Sequence, residues 1–299
     1  MIRWGVDLGG TKIEAVVIHH EGQSFQTLAR KRIPTESHLG YRHVLSRIAH
    51  LIELLKQHTG LEPTQLGIGT PGSIDPSTGL LKNSNSQCLN SQPILDDLKE
   101  LLQIPIALAN DANCFALAET RFGGVAQGYP SADVVFGIIM GTGVGGGLVI
   151  NQKVINGANG ITGEWGHNYL DTSGGDCYCG KVGCVETILS GPALERYYQS
   201  LGGQNISLRE IISNRFSDDL AMKTTHRLIH YFGLAVSTIV NVLDPDVIVI
   251  GGGVGNIDLL YDEGKESLLH HVFNPECSTK ILKPQLGDSA GVIGAALLD

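Results

Sequence analysis

Charge is scarce in this sequence: only 17% of its 299 residues are charged, against 42% apolar. That excludes a disordered, self-repelling chain and leaves enough apolar surface for a substantial core. The length suits two compact lobes or one large domain. Positive charge is scarcer still, with 21 Lys and Arg against 30 Asp and Glu and a formal net charge of −9. Such a balance argues against nucleic acid or an acidic membrane surface as a partner. It does not exclude a nucleotide, whose phosphates are bound locally by backbone N–H groups and metal ions. Long hydrophobic runs are missing too. The longest apolar helical stretch, residues 231–243, is too short and too polar to span a bilayer. The opening residues read as a strand carrying Arg3, without a signal-peptide pattern. A disulfide framework is also lacking, because three of the six cysteines crowd one window and Cys88, Cys114 and Cys277 are scattered. This usage fits a reducing cytoplasm. No low-complexity segment or linker interrupts the chain.

Glycine, by contrast, is abundant, with 39 residues, many clustered where a backbone could approach a ligand. The most informative window is residues 163–186, GEWGHNYLDTSGGDCYCGKVGCVE. His167, Cys177, Cys179 and Cys184 supply three thiols and an imidazole, the ligand set that Zn²⁺ takes in tetrahedral sites. A redox thiol cluster or buried, inert cysteines would be the alternatives. Four protein ligands close a zinc site, so this ion would be structural and would not activate water. Its task would be to hold Glu164, His167 and Glu186 as a polar constellation, the imidazole keeping a second N–H for a substrate oxygen.

Residues 2–8 read as a strand, followed by Gly9-Gly10-Thr11-Lys12 and a second strand around residues 14–18. This turn could cradle a phosphate or be an ordinary hairpin. It is not a Walker A loop, since the GxxxxGK[ST] spacing is absent and a strand follows. Residues 41–58 carry apolar side chains at Val44, Ile48, Leu51, Ile52 and Leu55, the period of an amphipathic helix. Residues 65–69 read as a strand and 82–86 as a polar loop containing Asn85. A further strand over 104–109 ends at Asn110-Asp111, where Asp111 is either a catalytic carboxylate or the cap of a helix starting at Ala112. Residues 133–140 form a hydrophobic strand before the glycine-rich segment 141–147. Gly141, Gly143 and Gly146 satisfy GxGxxG, but a strand rather than a helix follows, which removes the dinucleotide reading. Two glycine-rich strand–turn–strand units suggest an internal duplication whose turns clamp the phosphates of one nucleotide. Residues 190–201 and 206–232 read as peripheral helices, and 231–243 as a core helix. Residues 246–250 read as a buried parallel strand leading into Gly251-Gly252-Gly253. A last helix is expected over 290–298.

Together, GEWGH followed by CYCGKVGCVE, with DLGGTK, NDANC and LDPDVIVIGGG in order around it, resembles the signature of the ROK family of bacterial sugar kinases and repressors, over essentially the whole chain. The resemblance implies an α/β actin-like ATPase fold, two lobes with a nucleotide and sugar cleft between them. The small lobe would span residues 1–112, completed by 288–299, and the large lobe 113–287. It implies ATP-dependent phosphorylation of a hexose 6-hydroxyl, with Asp111 as catalytic base. Asn85, Asn110, Asp111, Glu164, His167 and Glu186 would bind the sugar. Asp7 would hold Mg²⁺; Gly9, Gly10, Thr11, Lys12, Gly141, Thr142, Gly143, Gly251, Gly252 and Gly253 would bind ATP; the His and three Cys would bind structural zinc. A cytoplasmic homodimer is implied. The motif set most resembles the fructokinase branch, which makes D-fructose the expected substrate, with N-acetylglucosamine and glucose as runners-up. Cys88 departs from the tryptophan common at its position. Repressors of this family carry a helix-turn-helix ahead of the DLGGTK region, and the six residues before Asp7 leave no room for one.

Overall fold

The computed structural model describes residues 1–274 and 276–299. The chain begins with strands β1 (Ile2–Leu8), β2 (Lys12–Glu21) and β3 (Ser24–Pro34), helix α1 (Tyr41–Thr59), strand β4 (Leu66–Thr70) and a short hairpin of β5 (Ser73–Ile74) and β6 (Leu81–Lys82). Helix α2 (Ile94–Leu102), strand β7 (Ile106–Asn110), and helices α3 (Asp111–Arg121) and α4 (Gly124–Gly128) follow. Next come strands β8 (Val134–Met140), β9 (Val144–Ile150) and β10 (Lys153–Val154), then helices α5 (Val185–Leu189), α6 (Gly191–Ser200), α7 (Leu208–Ser213) and α8 (Asp219–Leu243). Strand β11 (Val247–Gly251), helices α9 (Gly252–Gly255) and α10 (Glu263–Leu269), strand β12 (Lys280–Leu282) and helix α11 (Ala290–Ala296) complete the order.

Contacts divide the chain into two units, one of residues 1–131, 147–162 and 285–299, the other of 132–146 and 163–284. The first unit therefore extends past the boundary at residue 112 that the sequence suggested. The reason lies in α3, which packs on α11. Gly294 of α11 lies so close to α3 that a Cβ there would stand 1.8 Å from the Cys114 carbonyl oxygen.

The sheet of the first unit has the order β3-β2-β1-β4-β7. β1, β2 and β3 pair antiparallel, while β1, β4 and β7 run parallel. Trp4, Val6 and Leu8 alternate into the core, where they join Ile48, Leu51 and Leu55 of α1. The whole expected apolar face of α1 is buried, the outcome that a 3.6-residue period dictates. On the sheet's other partner, α11, the backbone comes too near for side chains to intervene. A Cβ on Gly67 of β4 would sit 1.8 Å from the Ala295 carbonyl oxygen, so only glycine fits there.

In the second unit β8, β11 and β12 run parallel, with β9 on the other side of β8. Val247, Ile248, Val249 and Ile250 are fully buried, as a parallel strand covered on both faces requires. The segments read separately as 206–232 and 231–243 share one 25-residue helix, α8, whose N-terminus is capped by the Asp218 carboxylate on the Leu220 N–H. No helix among the described residues is long and apolar enough to cross a membrane. The glycine-rich segment 141–147 is shorter as a turn than its composition suggests, because Val144 to Gly147 already belong to β9. Glycine is needed there for closeness, not for turning: a Cβ on Gly146 would meet the Trp165 ring at 2.6 Å.

Candidate functional site

In the first unit the turn after β1 is fixed by its own carbonyls. The Gly9 N–H donates to the Lys12 carbonyl at 3.0 Å. Thr35 takes both sides of the turn, its hydroxyl donating to the Gly9 carbonyl at 2.6 Å and its N–H to the Thr11 carbonyl at 3.0 Å. The Ser37 hydroxyl donates to the Gly10 carbonyl at 3.2 Å. With their oxygens tied back, Gly10, Thr11 and Lys12 remain exposed, the arrangement a phosphate-binding turn needs. Neither Thr35 nor Ser37 was legible as a site residue, because a hydroxyl just past a strand gives no signal of the carbonyl it meets.

Asn110 and Asp111 stand at the carboxyl end of β7. The capping role falls to Asn110, whose side-chain oxygen accepts the Ala112 N–H at 2.9 Å while its amide donates to the Gly72 carbonyl at 3.1 Å. Both polar ends of this expected sugar ligand are thus engaged in shaping the β7–α3 junction. Asp111 is the exposed first residue of α3, with one oxygen accepting the Ala112 N–H at 2.8 Å. Asp7 is its electrostatic neighbour. Burial first, then the negative charges of Asp111 and Glu14, push the Asp7 carboxyl up to about 6, against the opposing pull of Arg32 and Lys12. A buried carboxyl pushed up by neighbouring negative charge is poised to take a divalent cation. Glu14, buried on β2, is held by Arg30 and Arg32. Burial opposes its ionisation, yet hydrogen bonds from those two guanidinium groups keep its carboxyl below the usual range.

Asn85 is exposed on a loop that Asn90 shapes, accepting from the Ser84 N–H and donating to the Ser84 carbonyl, both at 2.8 Å. The loop approaches the Gly9–Lys12 turn, since a Cβ on Gly10 would lie 3.3 Å from the Ser86 hydroxyl. Two further buried polar residues escaped the sequence reading. Asn113 accepts the Leu148 N–H at 3.2 Å. Glu119 accepts the N–H groups of Gly124, Gln285 and Leu286 at 2.9 to 3.0 Å. A lone carboxylate inside the apolar run of α3 was the available signal for the second.

The second unit gathers the other expected residues. The Gly141 N–H closes the turn onto the Gly143 carbonyl at 2.9 Å, and the Gly191 N–H at the start of α6 donates to the Gly141 carbonyl at 2.8 Å. Gly253 lies alongside, its nitrogen 3.7 Å from where a Gly141 Cβ would be. Gly252 has φ 84°, a conformation that favours glycine. Tyr261, which the sequence did not single out, props this loop by donating to the Gly255 carbonyl at 2.7 Å. Glu186 reaches the same turn, one carboxylate oxygen accepting the Val144 N–H at 2.9 Å. A side chain on Gly143 would be driven into that oxygen, with Cβ at 2.7 Å. Glu164 precedes the short turn Trp165–His167, whose indole N–H anchors it to the Gly145 carbonyl at 2.9 Å.

His167, Cys177, Cys179 and Cys184 come together with one potential ligand atom each, all within 4.8 Å of one another. Cys179 and Cys184 sulfurs are 3.6 Å apart, and His167 Nδ1 is 3.6 Å from the Cys177 sulfur. Zinc bonds of about 2.3 Å to sulfur and about 2.0–2.1 Å to nitrogen put neighbouring tetrahedral ligands about 3.6–3.8 Å apart. The donor set therefore fits zinc in both chemistry and spacing. Burial pushes the Cys177 thiol up, and the Cys184 thiol up to about 12. A bound cation would displace those protons. His167 Nε2 faces the Tyr178 hydroxyl at 3.0 Å. Burial, then the carboxylates of Glu186 and Glu164, push that phenol up to about 12.

Comparison with known proteins identifies the family. The ROK family model matches residues 3–299. An N-acetyl-D-glucosamine kinase of Histophilus somni is 38% identical, with 99% of this chain and 98% of that protein covered. Among solved structures, a ROK hexokinase from Thermus thermophilus superposes with TM-score 0.86 at 32% identity, over 99% of this chain and 97% of the other. A ROK family glucokinase from Streptomyces griseus, solved with glucose and AMPPNP, gives TM-score 0.76 at 29% identity, over 100% and 99% of the two chains. The α/β architecture is accordingly the actin-like ATPase fold, and with a family match over nearly its full length the chain belongs to the ROK family.

Proposed function

We propose that this protein is an ATP-dependent N-acetyl-D-glucosamine kinase, transferring the γ-phosphoryl group to the sugar's 6-hydroxyl. The observation that carries the reading is Asp111, an exposed carboxylate that opens α3 at the carboxyl end of the parallel strand β7, beside the Asn110 cap. The choice of sugar departs from the fructose expected on motif resemblance. It is supported by the Histophilus somni N-acetyl-D-glucosamine kinase at 38% identity over 99% of the chain.

In the reaction the 6-hydroxyl oxygen bonds to the γ-phosphorus while the bond from that phosphorus to the β–γ bridging oxygen breaks. ADP leaves, and the hydroxyl proton passes to the Asp111 carboxylate. In the first unit the turn at Gly9 to Lys12, and in the second the turns at Gly141 to Gly143 and Gly251 to Gly253, offer backbone N–H groups of the kind that hold nucleotide phosphates. Asp7 would hold Mg²⁺, which neutralises triphosphate charge when bound. His167, Cys177, Cys179 and Cys184 would hold zinc, which supplies rigidity to the loop bearing Glu164, His167 and Glu186. In the second unit these three side chains offer polar groups for the ring hydroxyls, as Asn85 does in the first, and most of the barrier reduction is positioning and electrostatics. Six unpaired cysteines are in keeping with a cytoplasmic setting.

The test is phosphorus NMR of the products formed from Mg-ATP and N-acetylglucosamine. The reading predicts ADP and a 6-phosphomonoester in equal amounts. ADP with free phosphate and no sugar ester would refute it.

A further inference from the structure

Tyr178 stands between two cysteines of the metal-ligand set, and its side chain is 82% exposed. Its hydroxyl nevertheless turns inward, to 3.0 Å from His167 Nε2, with the two rings edge-on at 5.2 Å and 88°. His167 Nδ1 is directed at the Cys177 sulfur, so Nε2 is the nitrogen left over for a partner outside the metal cluster. The same hydroxyl lies in the field of Glu186 and Glu164. It contacts one of the three side chains assigned above to the hydroxyls of the sugar, His167. A phenol oxygen on an aromatic arm is chemically close to a sugar hydroxyl: neutral, and both donor and acceptor.

We propose that the Tyr178 hydroxyl stands in for a sugar hydroxyl on His167 Nε2 in the empty enzyme and is displaced when sugar binds. This rests on the sugar-kinase reading. The incoming hydroxyl then exchanges one hydrogen bond for another, and the gain from His167 is offset by the contact it breaks. Tyr178 becomes a residue that sets sugar affinity without touching the reacting atoms. The exposure of its ring gives it room to swing outward, since little packing holds it in place.

Calorimetric titration of N-acetylglucosamine and of glucose, without nucleotide, into wild type and Tyr178→Phe tests this, with zinc content measured on both. Deleting the competing hydroxyl should lower the sugar Kd roughly two- to ten-fold, the range of one net hydrogen bond. KM should fall in parallel, with kcat unchanged. An unchanged or weaker Kd in the variant at equal zinc content would overturn the proposal, because a tyrosine that merely orients the imidazole weakens binding when its hydroxyl is lost. A wild type that binds and phosphorylates neither sugar would overturn the kinase reading as well, which keeps the two failures apart.

Discussion

Asp111 and Asp7 share one end of the first unit's sheet, and their surroundings ask different things of them. Asp111→Asn should lower kcat by roughly 10²–10⁴, the range for loss of a general base. Because Asn110 caps α3, the variant's thermal midpoint should stay near wild type; a variant with full kcat would make Asp111 a structural residue. Asp7 predicts a pH effect of unusual sign. Its carboxyl rises from 3.8 to about 6 in the fold, mainly through burial, so the native state binds more protons than the unfolded chain across that window. Stability therefore falls as pH rises from about 4 to about 6, and the penalty is complete above it. Asp7→Asn cannot ionise, and in the absence of metal and nucleotide it should be more stable than wild type at pH 7.5 by roughly 3 kcal/mol. That advantage should vanish near pH 4, as urea unfolding at the two pH values would show. A constant difference would contradict the assigned burial. The residues with chemistry of their own were legible in the sequence. Thr35, Asn90, Asn113 and Tyr261 were not, because each acts on a backbone group outside any helical or strand repeat and carries no pattern.

At the scale of elements, periodicity and ligand spacing spoke clearly where one face or one cluster of donors decides the structure. Helix α1 and strand β11 follow from their apolar patterns, and the cysteine loop from four donors in eighteen residues. Strand β3 was missed. It lies at the sheet edge, with polar and basic side chains outward, so its sequence resembles a solvated loop. Residues 144–147 were read as turn because glycine there signals close approach as readily as reversal. The cysteine loop has little regular structure of its own, two short 3-10 turns and isolated bridges such as Tyr169 with Cys184. Its order should therefore depend on the ion. One zinc per chain is expected by elemental analysis, and Cys179→Ser should lose it together with stability, by at least roughly 2–3 kcal/mol. Fully active, fully stable protein without zinc would show that the thiols are inert.

For the whole molecule, the division of contacts was less legible than the fold class. Residues 113–131 and 147–162 belong with the first unit because of backbone approaches, α3 to α11 and Gly147 to Ala112, that no local pattern announces. Substrate choice was the least legible property of all. Hexoses differ by a few polar groups, and a site discriminates strongly only where a buried partner would be left unpaired. Side activity on glucose is therefore expected. The measurement that tests the central claim most directly is kcat/KM for N-acetylglucosamine, glucose, mannose and fructose under identical Mg-ATP. The account predicts the highest value for N-acetylglucosamine, with phosphate on its 6-hydroxyl. A higher kcat/KM for fructose would contradict the substrate assignment, and no phosphoryl transfer to any of the four would contradict the kinase itself.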